Sequence, residues 1–153
     1  MLLKPQSSYW VLAPGPSKLW IAVPLTYTLF IQVLTGFPKP GLLRDAKVHD
    51  FFIQFSETLF DYPFWLQDLS HFPLFFIFGW LWAWYIRRIE QTGGTLLTAI
   101  LISASFAIIN ELFQFYIPQR FPSMGDIVMN ISGVISALFS HSVYLRHLKA
   151  SIG

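Results

Sequence analysis

The sequence predicts an all-α membrane protein: one bundle of four transmembrane helices with an interfacial amphipathic helix. Three observations carry this prediction. Of 153 residues, 54% are hydrophobic and only 12% are charged, which leaves too little polar surface to cover a soluble globule. The apolar residues gather into four runs, each able to cross a hydrocarbon core of about 30 Å at about 1.5 Å per helical residue. The longest polar connection places its phenylalanines at helical spacing, as a helix lying at a membrane surface would.

Composition also removes whole classes of chemistry. Without cysteine there is no disulfide, thiolate zinc site, iron–sulfur cluster or cysteine nucleophile. A formal charge of +2 with no run of lysine and arginine gives no footprint for nucleic acid, which is not expected as a partner.

Taken in order, residues 1–18 read as an irregular arm interrupted by Pro5, Pro14, Gly15 and Pro16. Tyr9 and Trp10 in that arm suit a headgroup-level or partner-facing position, and a loose tail fits equally well. No small-residue cleavage site follows the first apolar run, so that run is expected to be retained. The first span covers about 19–36, and Pro24 is expected to kink it. In the outer loop, 37–71, Phe51, Phe52, Phe55, Leu59 and Phe60 share one helix face, opposed by Asp50, Gln54, Glu57 and Asp61. This pattern fits a helix in the membrane surface and also a lid over the span ends. Further spans are expected at about 72–86, 95–117 and 126–145, completing a single domain over 19–153. Lys4, Lys18, Arg87, Arg88, Arg146 and Lys149 outnumber Lys39, Arg44, Lys47 and Arg120, which places both termini and the 87–94 loop in the cytoplasm.

Alternating helix directions then bring the start of the second span, the end of the third and the start of the fourth to one membrane face, the outer one on this topology. Asp68, His71, Glu111, Gln114, Arg120, Asp126 and Asn130 converge there as candidate binding residues. On the third span Ala99, Ser103, Ala107, Glu111 and Gln114 form one stripe, and on the fourth Asp126, Asn130, Gly133, Ala137 and Ser140 form another. Small residues let helices approach closely, so these two stripes are expected to face each other.

Each polar residue also has a structural explanation. Asp68 or Ser70 would cap the second span ahead of Pro73, and Ser123 with Asp126 has the form of a capping box. Asn130 and Gln114 would serve as hydrogen-bonding glue between helices. Glu111 asks for more, because an acid below the membrane surface either holds its proton or pairs with a cation, and His71 and Arg120 are the cations on its side. An ion pair fastening the bundle and a polar pocket predict the same contacts.

The residues carry a family resemblance as well. D-x-x-H-F from Asp68 to Phe72, E-x-x-Q from Glu111 to Gln114, P-x-R from Pro118 to Arg120 and D-x-x-x-N-x-x-G from Asp126 to Gly133 together resemble the VanZ-like family of small bacterial membrane proteins. These motifs cover about residues 68–135. The resemblance implies Asp68, His71, Glu111, Gln114, Arg120, Asp126, Asn130 and Gly133 as the family's characteristic positions. Where the family usually has a lysine after the first aspartate, this chain has Leu69. The family's namesake is linked to lowered teicoplanin susceptibility, so the resemblance implies a multi-pass protein of the bacterial inner membrane in a cell-envelope context.

A lipid-linked or cell-envelope ligand suits such a site, with Arg120 and His71 meeting phosphate or carboxylate. The enzyme class stays open, with binding preferred: a buried acid beside a histidine is a proton-transfer pair, but no nucleophile motif, metal-ligand set or phosphate-cradling glycine loop accompanies it. The alternative is an accessory subunit of a respiratory or photosynthetic membrane complex, its 16 phenylalanines facing other subunits. No cofactor and no metal are expected, because His71 and His141 fall at opposite ends of the bundle and cannot bracket one haem. A transporter is disfavoured by the lack of an internal repeat and of polar groups at the midplane.

Overall fold

The computed structural model describes residues 17–89, 95–118 and 123–152. A 3-10 turn, Lys18–Ile21, leads into α1 (Ala22–Thr35), followed by α2 (Pro40–Asp45), α3 (Asp50–Phe60), α4 (Phe64–Ile89), α5 (Thr95–Phe115) and α6 (Met124–Ile152). Among the described residues four helical segments are long and apolar enough to cross a membrane: Lys18–Thr35, Phe64–Arg87, Leu97–Phe115 and Met124–His147. The chain is a multi-pass, all-α membrane protein.

Local chemistry sets the helix ends. Ser17 accepts a hydrogen bond from the Leu19 amide at 3.2 Å and starts the 3-10 turn. Pro24 lies at the third position of α1, straight after the 3-10 turn. Pro38 and Pro40 flank Lys39, which is held extended, and Pro40 opens α2 at a first-turn position. At α3 the imidazole Nδ1 of His49 accepts from the Phe51 amide at 3.2 Å, with Asp50 in the positively polarised first turn.

The second long helix differs from expectation at its start. It begins at Phe64 instead of about residue 72, so Asp68 and Ser70 lie inside α4 and cap nothing there. The Ser70 hydroxyl donates to the Gln67 carbonyl at 2.6 Å, and Pro73 sits inside the helix. At 26 residues, α4 is about 39 Å long. It outruns the hydrocarbon core, and the apolar run visible in sequence marked only its inner part.

The most extensive pairing is between α4 and α6. Gly79 lies against Val134 and Ala137, where a Cβ would stand 3.2 Å from the Ala137 methyl. At Gly133 a Cβ would run into the Phe72 carbonyl and stand 2.9 Å from the Phe76 amide nitrogen. The small-residue stripe of α6 is thus pressed onto α4 along its apolar length, and it meets the α5 stripe, as expected, at the polar end where Asn130 reaches Glu111. Ala99 and Ala107 of α5 pack instead into the cluster around Phe75 and Phe78 of α4, with Phe106 stacked on Phe78 at 4.7 Å. The larger side chains of α4 keep its axis further from α5, whereas glycines on both sides draw α4 and α6 together. Polar ties fasten α1 to α4: Tyr27 donates to the Leu74 carbonyl at 3.1 Å, and the Trp82 indole donates to Thr28 at 3.3 Å.

The amphipathic helix has one exposed and one packed side. Phe51, Phe52 and Phe55 are exposed on α3. Ser56 is fully buried and donates to the Pro38 carbonyl at 2.7 Å, while Leu59 and Phe60 close over the end of the bundle beside Thr35 and His71. The short helix α2 was not foreseen.

Candidate functional site

Four helix ends meet at this end of the bundle: the close of α1, the first half of α4, the close of α5 and the start of α6. From α5, the stripe Ala99, Ser103, Ala107, Glu111 and Gln114 is buried along its whole length. Its polar end forms the base of the site.

Glu111 Oε1 collects amide donors from three neighbours: Asn130 Nδ2 at 2.9 Å, Asn110 Nδ2 at 3.4 Å and Gln114 Nε2 at 3.5 Å. The other end of the Asn130 amide reaches α4, where Asn130 Oδ1 lies 2.9 Å from His71 Nδ1. Because the Asn130 nitrogen is turned to Glu111, its oxygen faces the histidine, and His71 Nδ1 carries the hydrogen. His71 and Glu111 are therefore joined through Asn130; the direct pair expected from the sequence is replaced by this bridge. Next to Glu111, Asn110 Oδ1 accepts from the Thr35 hydroxyl of α1 at 2.8 Å. All four long helices enter one hydrogen-bonded system. Asn110, Glu111, Gln114 and Asn130 are each at most 2% exposed. In such surroundings every missing partner would cost free energy, which is why the polar groups come as a connected set.

At its upper edge the system opens. Ser123 caps α6, its hydroxyl accepting from the Gly125 and Asp126 amides at 3.1 and 3.4 Å. A capping box would turn the Asp126 carboxylate back toward Ser123; here Asp126 Oδ1 faces His71 Nε2 at 3.6 Å. That separation is an ion-pair contact wider than a hydrogen bond. Asp68 reaches across from α4, its carboxylate against the Cα of Gly125, so that a side chain at 125 would collide with it. The Asp68 and Asp126 side chains are hydrogen-bonded to each other, so the two carboxyls stand together beside His71.

Between these groups lies a cavity of about 250 Å³, its polar wall made by Lys39, Gln67, Asp68, His71, Gln114 and Asp126. Phe64 stands at the mouth. A smaller recess of about 100 Å³, roofed by Leu59 and Phe60, shares Gln67 and His71 with it.

Six of the seven residues singled out in the sequence thus gather here. Asp68, His71, Gln114 and Asp126 line the cavity, and Glu111 and Asn130 lie in the network beneath. Arg120 lies outside the described residues, as do Tyr9 and Trp10. Sequence reasoning missed Lys39, Gln67, Asn110 and Thr35. Lys39 carries a faint signal, a lone cation locked between two prolines. Asn110 stands off the α5 stripe, and only the position of α1 explains its burial. Among the described residues no cluster of three or more His, Asp or Glu side chains is arranged to hold a metal ion.

A family model described as VanZ/LLP1 matches residues 20–145 of the chain. The match runs beyond the motif-bearing half to take in α1, α2 and α3. No curated protein and no solved structure matches.

Proposed function

Since the chain belongs to the VanZ/LLP1 family, we propose that it is a binding protein of the bacterial inner membrane, holding the polar head of a lipid-linked or cell-envelope ligand at the outer face. The observation that carries this reading is the cavity of about 250 Å³ set directly above the buried network. Polar groups that served packing alone would satisfy one another and close up; these end in an open, polar-walled space at one end of the bundle, which supports a headgroup-level site. The excess of cationic residues on the arm, the 87–94 loop and the C-terminal end supports the outer-face assignment. Resistance to an envelope-directed antibiotic is the physiological context to examine first. The exposed apolar side chains of α1 and α5 are accounted for by lipid tails, so a role as an accessory subunit of a respiratory or photosynthetic complex is the alternative outcome of the test.

The test is gentle extraction of the native membrane, followed by the mass of the intact particle and identification of the lipids it retains. A monomer or small homo-oligomer carrying a characteristic lipid, lost in His71→Ala and Arg120→Ala variants expressed at normal levels, is the expected result. A particle of many different subunits, or lipid retention indifferent to both substitutions, would overturn the proposal.

A further inference from the structure

We infer that α3 docks on the lipid surface through Phe51, Phe52 and Phe55, and that this seating holds Leu59 and Phe60 closed over the recess beside His71. The docking stands apart from the ligand that the cavity takes. Phe51, Phe52 and Phe55 are 63%, 45% and 40% exposed on neighbouring turns of one short helix. Apolar side chains scattered singly over a surface need no explanation, but three phenyl rings grouped on one face ask for a partner.

The sides of α3 say which partner. One side is packed: Ser56 is buried and donates to the Pro38 carbonyl at 2.7 Å, and Leu59 and Phe60 lie beside Leu34 and Thr35 of α1 and Leu74 of α4. Phe55 meets Phe37 edge to face at 5.0 Å. The first membrane-crossing segment ends at Thr35, so these contacts fasten α3 at the level where the chain leaves the apolar layer. A second side is polar: Gln54, Glu57, Thr58 and Asp61 border an open hollow, and Glu57 pairs with Arg44 of α2. At about 100° per residue the exposed phenylalanines fall roughly opposite these groups, with the packed side between. A helix fastened by one flank at the end of a span, polar on one side and aromatic on the other, is arranged to lie in a membrane interface. Phe64 and Trp65, also exposed, open α4 at the same end of the bundle, and aromatic side chains gather at that level. Among the described elements α3 packs chiefly on α2, so the bundle alone holds the roof weakly. Lipid under the first two turns of α3 fixes its last turn, which closes the recess that shares Gln67 and His71 with the cavity.

The test uses the full-length chain, which has no cysteine of its own. Phe52→Cys and Gln54→Cys each carry one fluorophore in phosphatidylcholine nanodiscs, with the quencher supplied either as a nitroxide on the acyl chain close to the glycerol or as iodide in the water. The label at position 52 should lose most of its emission to the acyl nitroxide and little to iodide, and the label at position 54 the reverse. Equal access of iodide to both positions would overturn the docking. So would a label at position 52 shielded from both quenchers in a particle of doubled mass, which gives the face to a second copy of the chain. The roof is read by Thr35→Cys, a position 5% exposed in the recess, through its rate of reaction with a membrane-impermeant maleimide. Phe51→Asp with Phe52→Asp, which leaves Phe55 on Phe37, should raise that rate about tenfold or more by shifting the closed state toward the open one. Should the aspartates prevent folding, Phe51→Ser with Phe52→Ser serves in their place. Leu59→Ala should raise the rate with the label at position 52 still in lipid, which ties the thiol signal to the roof. A rate that rises in Leu59→Ala and ignores the changes at Phe51 and Phe52 would overturn the coupling of lipid to roof.

Discussion

Two regions share the same pair of helices, α4 and α6, and solve different problems. In the middle of the bundle, Gly79 meets Val134 and Ala137, and Gly133 meets the backbone from Phe72 to Phe76. Toward their polar end the same helices carry His71, Asn130 and Asp126 beside Glu111, with a cavity above. At Gly133 the backbone contacts leave no room for a side chain, and at Gly79 even a methyl would be tight. The polar end makes side-chain contacts with room to spare. Stability is expected to reside mainly in the first region and selectivity in the second, and three substitutions sharpen or break that division.

The largest effect is expected at the seam. Gly133→Ala places a methyl against backbone atoms that cannot rotate away, and overpacking of this kind costs up to about 3 kcal/mol. Thermal unfolding in detergent should show a large loss whatever lipid is added. A variant as stable as the parent would mean that α4 and α6 separate easily and that the seam is not the anchor.

Glu111→Ala should cost less, about 1–2 kcal/mol, by leaving the amides of Asn130, Asn110 and Gln114 without their shared acceptor. Its signature is retention of the fold, read by far-UV circular dichroism and size exclusion, together with loss of headgroup selectivity. Should it unfold the bundle as readily as Gly133→Ala, the network would be a fastening and the division between the regions would collapse.

Ser123→Ala gives the smallest change, about 1 kcal/mol, the usual worth of an N-terminal cap. Hydrogen exchange should rise in the first turn of α6 and stay unchanged along the Gly133 seam. Protection lost evenly along α6 would show that the cap and the seam act as one unit.

The sequence made the seam half legible and the site more so. Polar residues within apolar helices stand out because their placement is costly, and six of the seven chosen lie in or under the cavity. Small residues announce close packing but not the partner: the stripe on α6 was visible, and its target, α4, was not, because Gly79 stands alone among bulky neighbours. Helix starts at the membrane surface were hidden as well. The segment from Phe64 to Ser70 is too polar to extend an apolar run, yet it is helical, and this moved Asp68 from a supposed cap to the cavity wall. Lys39 and Thr35 act through contacts between segments distant in the chain, which no local pattern encodes.

Pro73 sets the depth of the whole arrangement. Inside α4 it offers no N–H to the carbonyl of Leu69, a residue that is 45% exposed on the helix surface. In hydrocarbon an orphaned carbonyl would cost several kcal/mol, so that oxygen is expected to stay hydrated. The edge of the hydrocarbon is then expected between Leu69 and Pro73, with Phe64, Gln67 and Asp68 on its polar side.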